Sequence, residues 1–247
     1  MMDGRSDMSP GAGKSKLMIS SSSGVSPRFD TLENLSKPSE GDGDPVTSNK
    51  SLAINFDDFV RRAHNHRGLP HQPMSCDALL KRGKWVCLIE FKNQELEYYD
   101  RDNKEVELRY ESKFKLIRKL YDSAIMLMAE HGSITDDTGK VSVALDNAHD
   151  CLLGIVCCPG GKNPHILQEE SSRWRAASPK LAGSAIAAFI PNGRDPLETI
   201  MSQQNDLADV AIGLDEKGLN GMKYLYKRVF VITEDYLDRL LAIIEYS

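Results

Sequence analysis

The stretch Ser75–Asn93, SCDALLKRGKWVCLIEFKN, constrains the fold more than any other part of the chain. Two apolar runs, Ser75–Leu80 and Trp85–Lys92, flank Lys81-Arg82-Gly83-Lys84, the composition of two strands joined by a tight turn. The second run ends in Glu90-Phe91-Lys92. Glutamate and lysine are poor strand residues and are rarely buried without a partner; two apart, they share one face. With Arg82-Gly83 as a two-residue turn, paired residue numbers sum to 165. Leu80 then faces Trp85, Ala78 faces Cys87 and Cys76 faces Ile89, a wholly apolar face. On the other face Leu79 meets Val86, Asp77 meets Leu88 and Ser75 meets Glu90, so Asp77, Glu90 and Lys92 converge. Asp77 and Glu90 are diagonal neighbours, roughly 7–8 Å apart at Cα, within reach of one cation between their carboxylates. A four-residue turn keeps this arrangement, whereas a three-residue turn flips one strand and destroys it.

Two carboxylates meeting at strand ends repel unless positive charge lies between them. A divalent cation is one answer, because Mg²⁺ favours one or two carboxylates completed by waters and a substrate phosphate. Lys92, on the same face, is then placed to orient a water or to stabilise developing negative charge. The other answer is an ion pair of Glu90 with Lys92 at a sheet edge, with Asp77 unrelated. The three residues by themselves leave both open.

Around this hairpin the pattern is that of a mixed α/β or α+β domain, a central sheet flanked by helices. Phe56, Phe59, Val60 and Ala63 fall at helical spacing in Asn55–His66, which Gly68 and Pro70 terminate. A long helix is expected from about Leu108 to His131, with Phe114, Ile117, Tyr121, Ala124 and Met128 as its apolar stripe. Cys151–Pro159 and Ser184–Pro191 have the composition of buried strands. Met222–Thr233 reads as a further strand, and Glu234 onward as an amphipathic helix with Thr233 as its N-cap.

Residues 1–50 differ in kind. They hold 11 Ser, 6 Gly and 4 Pro with Phe29 as the single aromatic residue, so a disordered tail is expected there and a folded domain over 51–247. GAGKSK (Gly11–Lys16) lacks the earlier glycine and the preceding strand of a phosphate-binding loop. No stretch is apolar enough to span a membrane, and the start has no secretory h-region. Five cysteines, an odd number in apolar stretches, suit reduced thiols in a cytoplasmic protein. A net charge of −5 argues against indiscriminate coating of nucleic acid, leaving a local basic patch as the way to bind it.

Asp77, twelve intervening residues and then Glu90-Phe91-Lys92 resemble the core motif of the PD-(D/E)XK nuclease-like superfamily, an acid on one strand and (D/E)-x-K on the next. Together with KLIRKLYDSAIML and GMKYLYKRVFVITEDYLDRLL, it is similar to a group of uncharacterised bacterial proteins with this nuclease-like core. The resemblance spans roughly residues 52–246 and is strong over 75–128 and 220–240. Cys76 stands where the motif has its proline. The resemblance implies a restriction-endonuclease-like core and a metal-dependent nuclease of bacterial defence or toxin type, with Mg²⁺ or Mn²⁺ as cofactor and DNA or RNA as partner. It implies Asp77 and Glu90 as metal ligands aided by the Phe91 carbonyl, Lys92 as the residue positioning the attacking water, and Asp58 or its neighbour Asp57 as an outer acid. The alternative is a non-catalytic interaction protein that keeps the fold and binds a protein partner or a second copy of itself.

Residues 109–119 carry five basic residues, Arg109, Lys113, Lys115, Arg118 and Lys119, against Glu111. In a nuclease Lys113, Lys115, Arg118 and Lys119 form a phosphate-contacting flank; otherwise they are a solvated helix face. His64, His66 and His71 lack the cysteines or acids of a zinc site and read as solvated. Cys157 and Cys158 are adjacent and point to opposite faces of a strand, which makes them poor joint ligands. Trp174 between Arg173 and Arg175 is either a base-stacking residue or a loop anchor.

Overall fold

The computed structural model describes residues 18–19, 23–38, 43–68, 70–100, 105–108, 115–130, 133–135, 141–144, 150–168, 171 and 225–245. The strand expected at 184–191 and the Trp174 cluster lie outside these residues, as does Lys113.

Trp85–Phe91 (β5) lies inside a six-stranded mixed sheet, and every one of its residues is buried. A strand covered on both faces has no solvated side to hold polar residues, which is why its sequence is apolar almost throughout. On one side it pairs antiparallel with Ala78–Arg82 (β4), followed outward by Leu52–Asn55 (β3) and Phe29–Thr31 (β2). On the other side it pairs parallel with Leu152–Cys158 (β10), and β10 pairs parallel with Arg228–Thr233 (β11). Two small separate sheets complete the strands among the described residues: Glu97–Asp100 (β6) with Glu105–Leu108 (β7), and Met18–Ile19 (β1) with Ser133–Thr135 (β8) and Val141–Ala144 (β9).

Helices cover both faces. Phe56–Arg67 (α2) and Leu116–Ala129 (α3) pack on the face bearing Leu79, Val86, Leu88 and Val156. Leu32–Leu35 (α1) and Glu234–Glu245 (α4) contribute Leu32, Leu237, Leu240 and Leu241 to the opposite face, over Leu80, Trp85, Cys87 and Ile89. The architecture is α+β, a six-stranded mixed sheet flanked by helices. Cys157 and Cys158 go to opposite layers, as adjacent strand residues must. None of the five cysteines is in a disulfide, and no helix among the described residues is long and apolar enough to cross a membrane.

The hairpin register differs from the expected one in an instructive way. Arg82 pairs with Trp85, so the turn is Gly83-Lys84 and paired numbers sum to 167 rather than 165. Gly83 takes a left-handed φ of 53°, with the backbone oxygens of Ile244 and Glu245 packed against it, and only glycine suits that corner. Sliding the turn by one residue changes the sum by two, which moves pairs along the strands without exchanging faces. Leu79, Val86 and Leu88 therefore stay together, and Asp77 comes alongside Glu90 instead of diagonal to it. Cys76 is the exception. Beyond Ala78 the ladder becomes irregular, with Asp77 N–H donating to the Ile89 carbonyl, and Cys76 packs in the α2–α3 layer rather than against Ile89.

Two further expectations are corrected. The segment read as a tail over 1–50 contributes β2 and α1, with Leu32 fully buried and Thr31 capping α1 through the Asn34 N–H. Its apolar residues are few but well placed: an edge strand needs only backbone pairing and one anchor. The helix expected from Leu108 starts at Leu116, because 105–108 pair as β7. Its buried side is Leu116, Leu120, Ser123, Ala124 and Leu127, while Tyr121 is exposed. The helix carries aliphatic residues on two adjacent sides, and the leucine-rich one, with more area to bury, faces the sheet. At Gly154 of β10, a Cβ atom would lie 3.2 Å from Leu120 Cδ2, so the missing side chain is what lets α3 sit this close.

Candidate functional site

Glu90 is the one fully buried acid of β5, and its side chain projects into the α2–α3 layer. Lys92, two residues on, shares that face and puts Nζ 2.5 Å from Glu90 Oε1. From α3, Lys119 brings its Nζ to 2.7 Å from the same oxygen. Glu90 Oε2, by contrast, is buried without a hydrogen-bond partner. One carboxylate oxygen thus takes two ammonium groups and the other takes none.

Asp77 closes the site. It is half-buried, and its Oδ2 accepts the Phe91 N–H at 2.7 Å, tying β4 to the residue between Glu90 and Lys92. Burial, reinforced by the Glu90 charge, pushes the Asp77 carboxyl up to about 8 despite the pull of Lys119, the Phe91 N–H and Lys92. At Lys119 burial disfavours the ammonium, but the Glu90 and Asp77 charges outweigh it and hold the proton more firmly than usual. Burial followed by the Glu90 charge pushes the Cys76 thiol well up, so it is an inert neighbour rather than a nucleophile.

The segment leading into Asp77 is fixed by both helices. Met74 N–H donates to Asp122 Oδ2, Cys76 N–H donates to the buried Ser123 hydroxyl at 2.8 Å, and the Ser75 hydroxyl donates to Asp57. The chain leaving this same end of β5 is braced by the turn after β10. Lys162 Nζ donates to the Asn93 carbonyl and side chain, and Asn163 bonds Gln94 and Leu96. Asn93, Gln94, Glu95 and Lys162 line an open groove of about 580 Å³ immediately after Lys92.

The structure therefore gathers Asp77, Glu90, Phe91 and Lys92, and adds Lys119 to them. Asp58 is elsewhere: its carboxylate pairs with Arg61 at 2.7 Å and Arg62 at 2.8 Å, with Arg28 at 3.7 Å. Burial alone would raise its carboxyl, but these arginines hold it below the usual range. Asp57, its neighbour, is exposed and engaged by Ser75. The basic flank divides, with Lys115 and Arg118 exposed and Lys119 turned inward. His64 is buried rather than solvated, while His66 and His71 are exposed. The sequence assigns Lys119 to the phosphate-contacting flank, because the expected apolar stripe turns it outward, whereas in the structure it reaches Glu90. Set against Leu116, Leu120 and Ser123, it is a lysine on the buried side, and such a lysine needs an acid.

Among the described residues no three His, Cys, Asp or Glu side chains converge as a metal cage. Two acids with a backbone carbonyl and water is a set that Mg²⁺ accepts, and the unpartnered Glu90 Oε2 beside Asp77 fits a hard cation. Phe91 turns its N–H toward Asp77; in an extended residue the carbonyl shares that edge. Comparison with family models, with curated proteins and with solved structures yields no match to the chain.

Proposed function

We propose that the protein is a metal-dependent nuclease, hydrolysing phosphodiester bonds of DNA or RNA on a restriction-endonuclease-like core with Mg²⁺ or Mn²⁺ held by Asp77 and Glu90. The observation that carries this is the buried, unpartnered Glu90 Oε2 beside a second acid. A bound cation would supply polarisation of the phosphate and a lowered pKa of water. Asp77 and Glu90 offer oxygens to it, Asp77 giving up the proton that burial favours. The Lys92 ammonium donates hydrogen bonds that orient the attacking water and balance negative charge developing on the phosphate. Exposed Lys115 and Arg118 are available to backbone phosphates. Asp58, engaged by three arginines, is left out of the ligand set.

A second reading is favoured by Lys119: with both lysines already paired to Glu90, the cluster needs no cation to neutralise that carboxylate and serves as the buried polar centre of a non-catalytic interaction protein. Incubating the protein with plasmid DNA and with total RNA, with and without Mg²⁺ or Mn²⁺, separates the two. Cation-dependent cleavage that Glu90→Gln abolishes supports the nuclease. Intact nucleic acid together with cation-insensitive melting leaves the interaction protein.

A further inference from the structure

Lys119 presents a puzzle that the proposed chemistry does not absorb. Its side chain, 18% exposed, ends on the oxygen of Glu90 that Lys92 already occupies. Two ammonium groups on one carboxylate oxygen repel each other, and leaving the second oxygen bare adds a desolvation cost. The arrangement nevertheless has a chemical logic. If Lys92 leaves Glu90 to hold a water or a phosphate, a carboxylate with only that partner would be stranded and free to rotate. Lys119 remains on Oε1, so the carboxylate keeps the orientation that leaves Oε2 unpartnered. The helix supporting it cannot easily yield, since Leu120 packs against Gly154 and the Leu120 carbonyl accepts the Tyr226 hydroxyl at 2.6 Å.

We propose that Lys119 is a positioning residue for Glu90, the standing counter-charge that fixes which carboxylate oxygen faces the cation and so releases Lys92 for the substrate. The proposal rests on the nuclease reading and reassigns Lys119 from the phosphate-contacting flank to the site itself. It divides the two lysines by role, with Lys92 touching the reacting atoms and Lys119 acting only through Glu90.

The test uses the full chain, with plasmid DNA and total RNA as substrates and Mn²⁺ as the probe cation. Lys119→Met is expected to lower kcat at least tenfold at saturating Mn²⁺ with KM little changed, and Lys119→Arg to restore most of it. Its Mn²⁺ midpoint, read from melting shifts, should be equal to or lower than that of the wild type, because a positive charge beside the cation has gone. The salt dependence of nucleic-acid binding should stay the same. A normal kcat together with a log–log salt slope flatter by about 0.7–0.9 would instead make Lys119 a phosphate contact and overturn the proposal. So would failure of arginine to rescue. Wild-type melting indifferent to Mn²⁺ overturns the metal reading and this proposal together, whereas a Mn²⁺-responsive wild type with fully active Lys119→Met overturns the proposal alone.

Discussion

Phe91 donates its backbone N–H to Asp77 Oδ2 at 2.7 Å, so the acid at the start of one strand is bonded to the residue separating Glu90 from Lys92 on the next. That single bond brings two carboxyl groups into one buried space. The cost appears at Asp77, whose carboxyl is pushed up to about 8 by burial and by the Glu90 charge.

A pH dependence follows for the cation-free protein. The ordinary value for Asp77 is 3.8 and the folded value is about 8, so between them the folded chain keeps a proton that the unfolded chain has released. Stability from this group is complete below the lower value and is lost as pH rises through the upper one. The slope is at most about 1.4 kcal/mol per pH unit, the value for one proton. Urea melts from pH 5 to 8 should show declining stability, and Asp77→Asn should flatten the decline. A wild-type profile that is flat over this range, matching Asp77→Asn, would place Asp77 in an ordinary environment.

Cation binding should show the opposite trend. Asp77 must lose its proton to become a ligand, so affinity for Mn²⁺ should rise about tenfold per pH unit below 8 and level off above it. Titrations followed by melting shift at pH 6, 7, 8 and 9 check this. An affinity independent of pH would remove Asp77 from the ligand set.

The N-terminal segment should matter to stability. Deleting residues 1–50 exposes the edge of β3, removes the fully buried Leu32 and breaks the bond from Asn49 to Asp238 of α4. Leu32→Ala alone should cost about 2–5 kcal/mol, the usual range for a buried leucine. Circular-dichroism melts of the truncated and substituted proteins measure both effects. A truncated chain melting like the full one would show that β2 and α1 contribute nothing.

What the sequence discloses here depends on parity. Strand periodicity is two, so a turn misplaced by one residue still assigned Asp77, Glu90 and Lys92 to one face. The same tolerance is absent in a helix with two adjacent apolar sides, where choosing Tyr121 over Leu120 rotated α3 and turned Lys119 outward into the basic flank. Leu32 was obscured for another reason: one anchoring leucine in a Ser/Gly-rich stretch has no periodicity to reveal it, and its burial depends on the α4 side of the sheet. Asp57 and Asp58 were equivalent in sequence. Arg61 and Arg62, one helical turn on from Asp58, decide between them.

Gly83 should resist substitution. Its φ of 53° strains any other residue, and a Cβ there would lie 2.9 Å from the backbone oxygen of Glu245, which cannot swing aside like a side chain. Gly83→Ala should destabilise by about 1–3 kcal/mol in urea melts, combining the backbone penalty with displacement of the α4 terminus. Unchanged stability would mean that the end of α4 gives way freely.

The strongest discrimination comes from removing the site charges one at a time. At pH 7 the folded, cation-free chain keeps Asp77 largely protonated, so Asp77→Asn exchanges one uncharged group for another and should be close to neutral. Glu90→Gln is different, because it strands Lys92 and Lys119 over a neutral amide; breaking such a buried pair costs up to about 3–5 kcal/mol. Lys92→Met should cost less, since Lys119 still compensates Glu90. These three shifts follow from the charges alone, whether or not the protein is an enzyme. The cation separates the readings. At a hundredfold excess over its dissociation constant, Mn²⁺ should stabilise the wild type by about 2.7 kcal/mol, or roughly 5–11 °C for a domain of this size. Asp77→Asn and Glu90→Gln should lose that shift together with any cleavage. Lys92→Met should keep the shift and lose the cleavage, because lysine acts on the water and the phosphate rather than on the ion. A purely structural cluster predicts the same order of cation-free stabilities but no Mn²⁺ shift in any of the four proteins, and that outcome would end the case for a metal site.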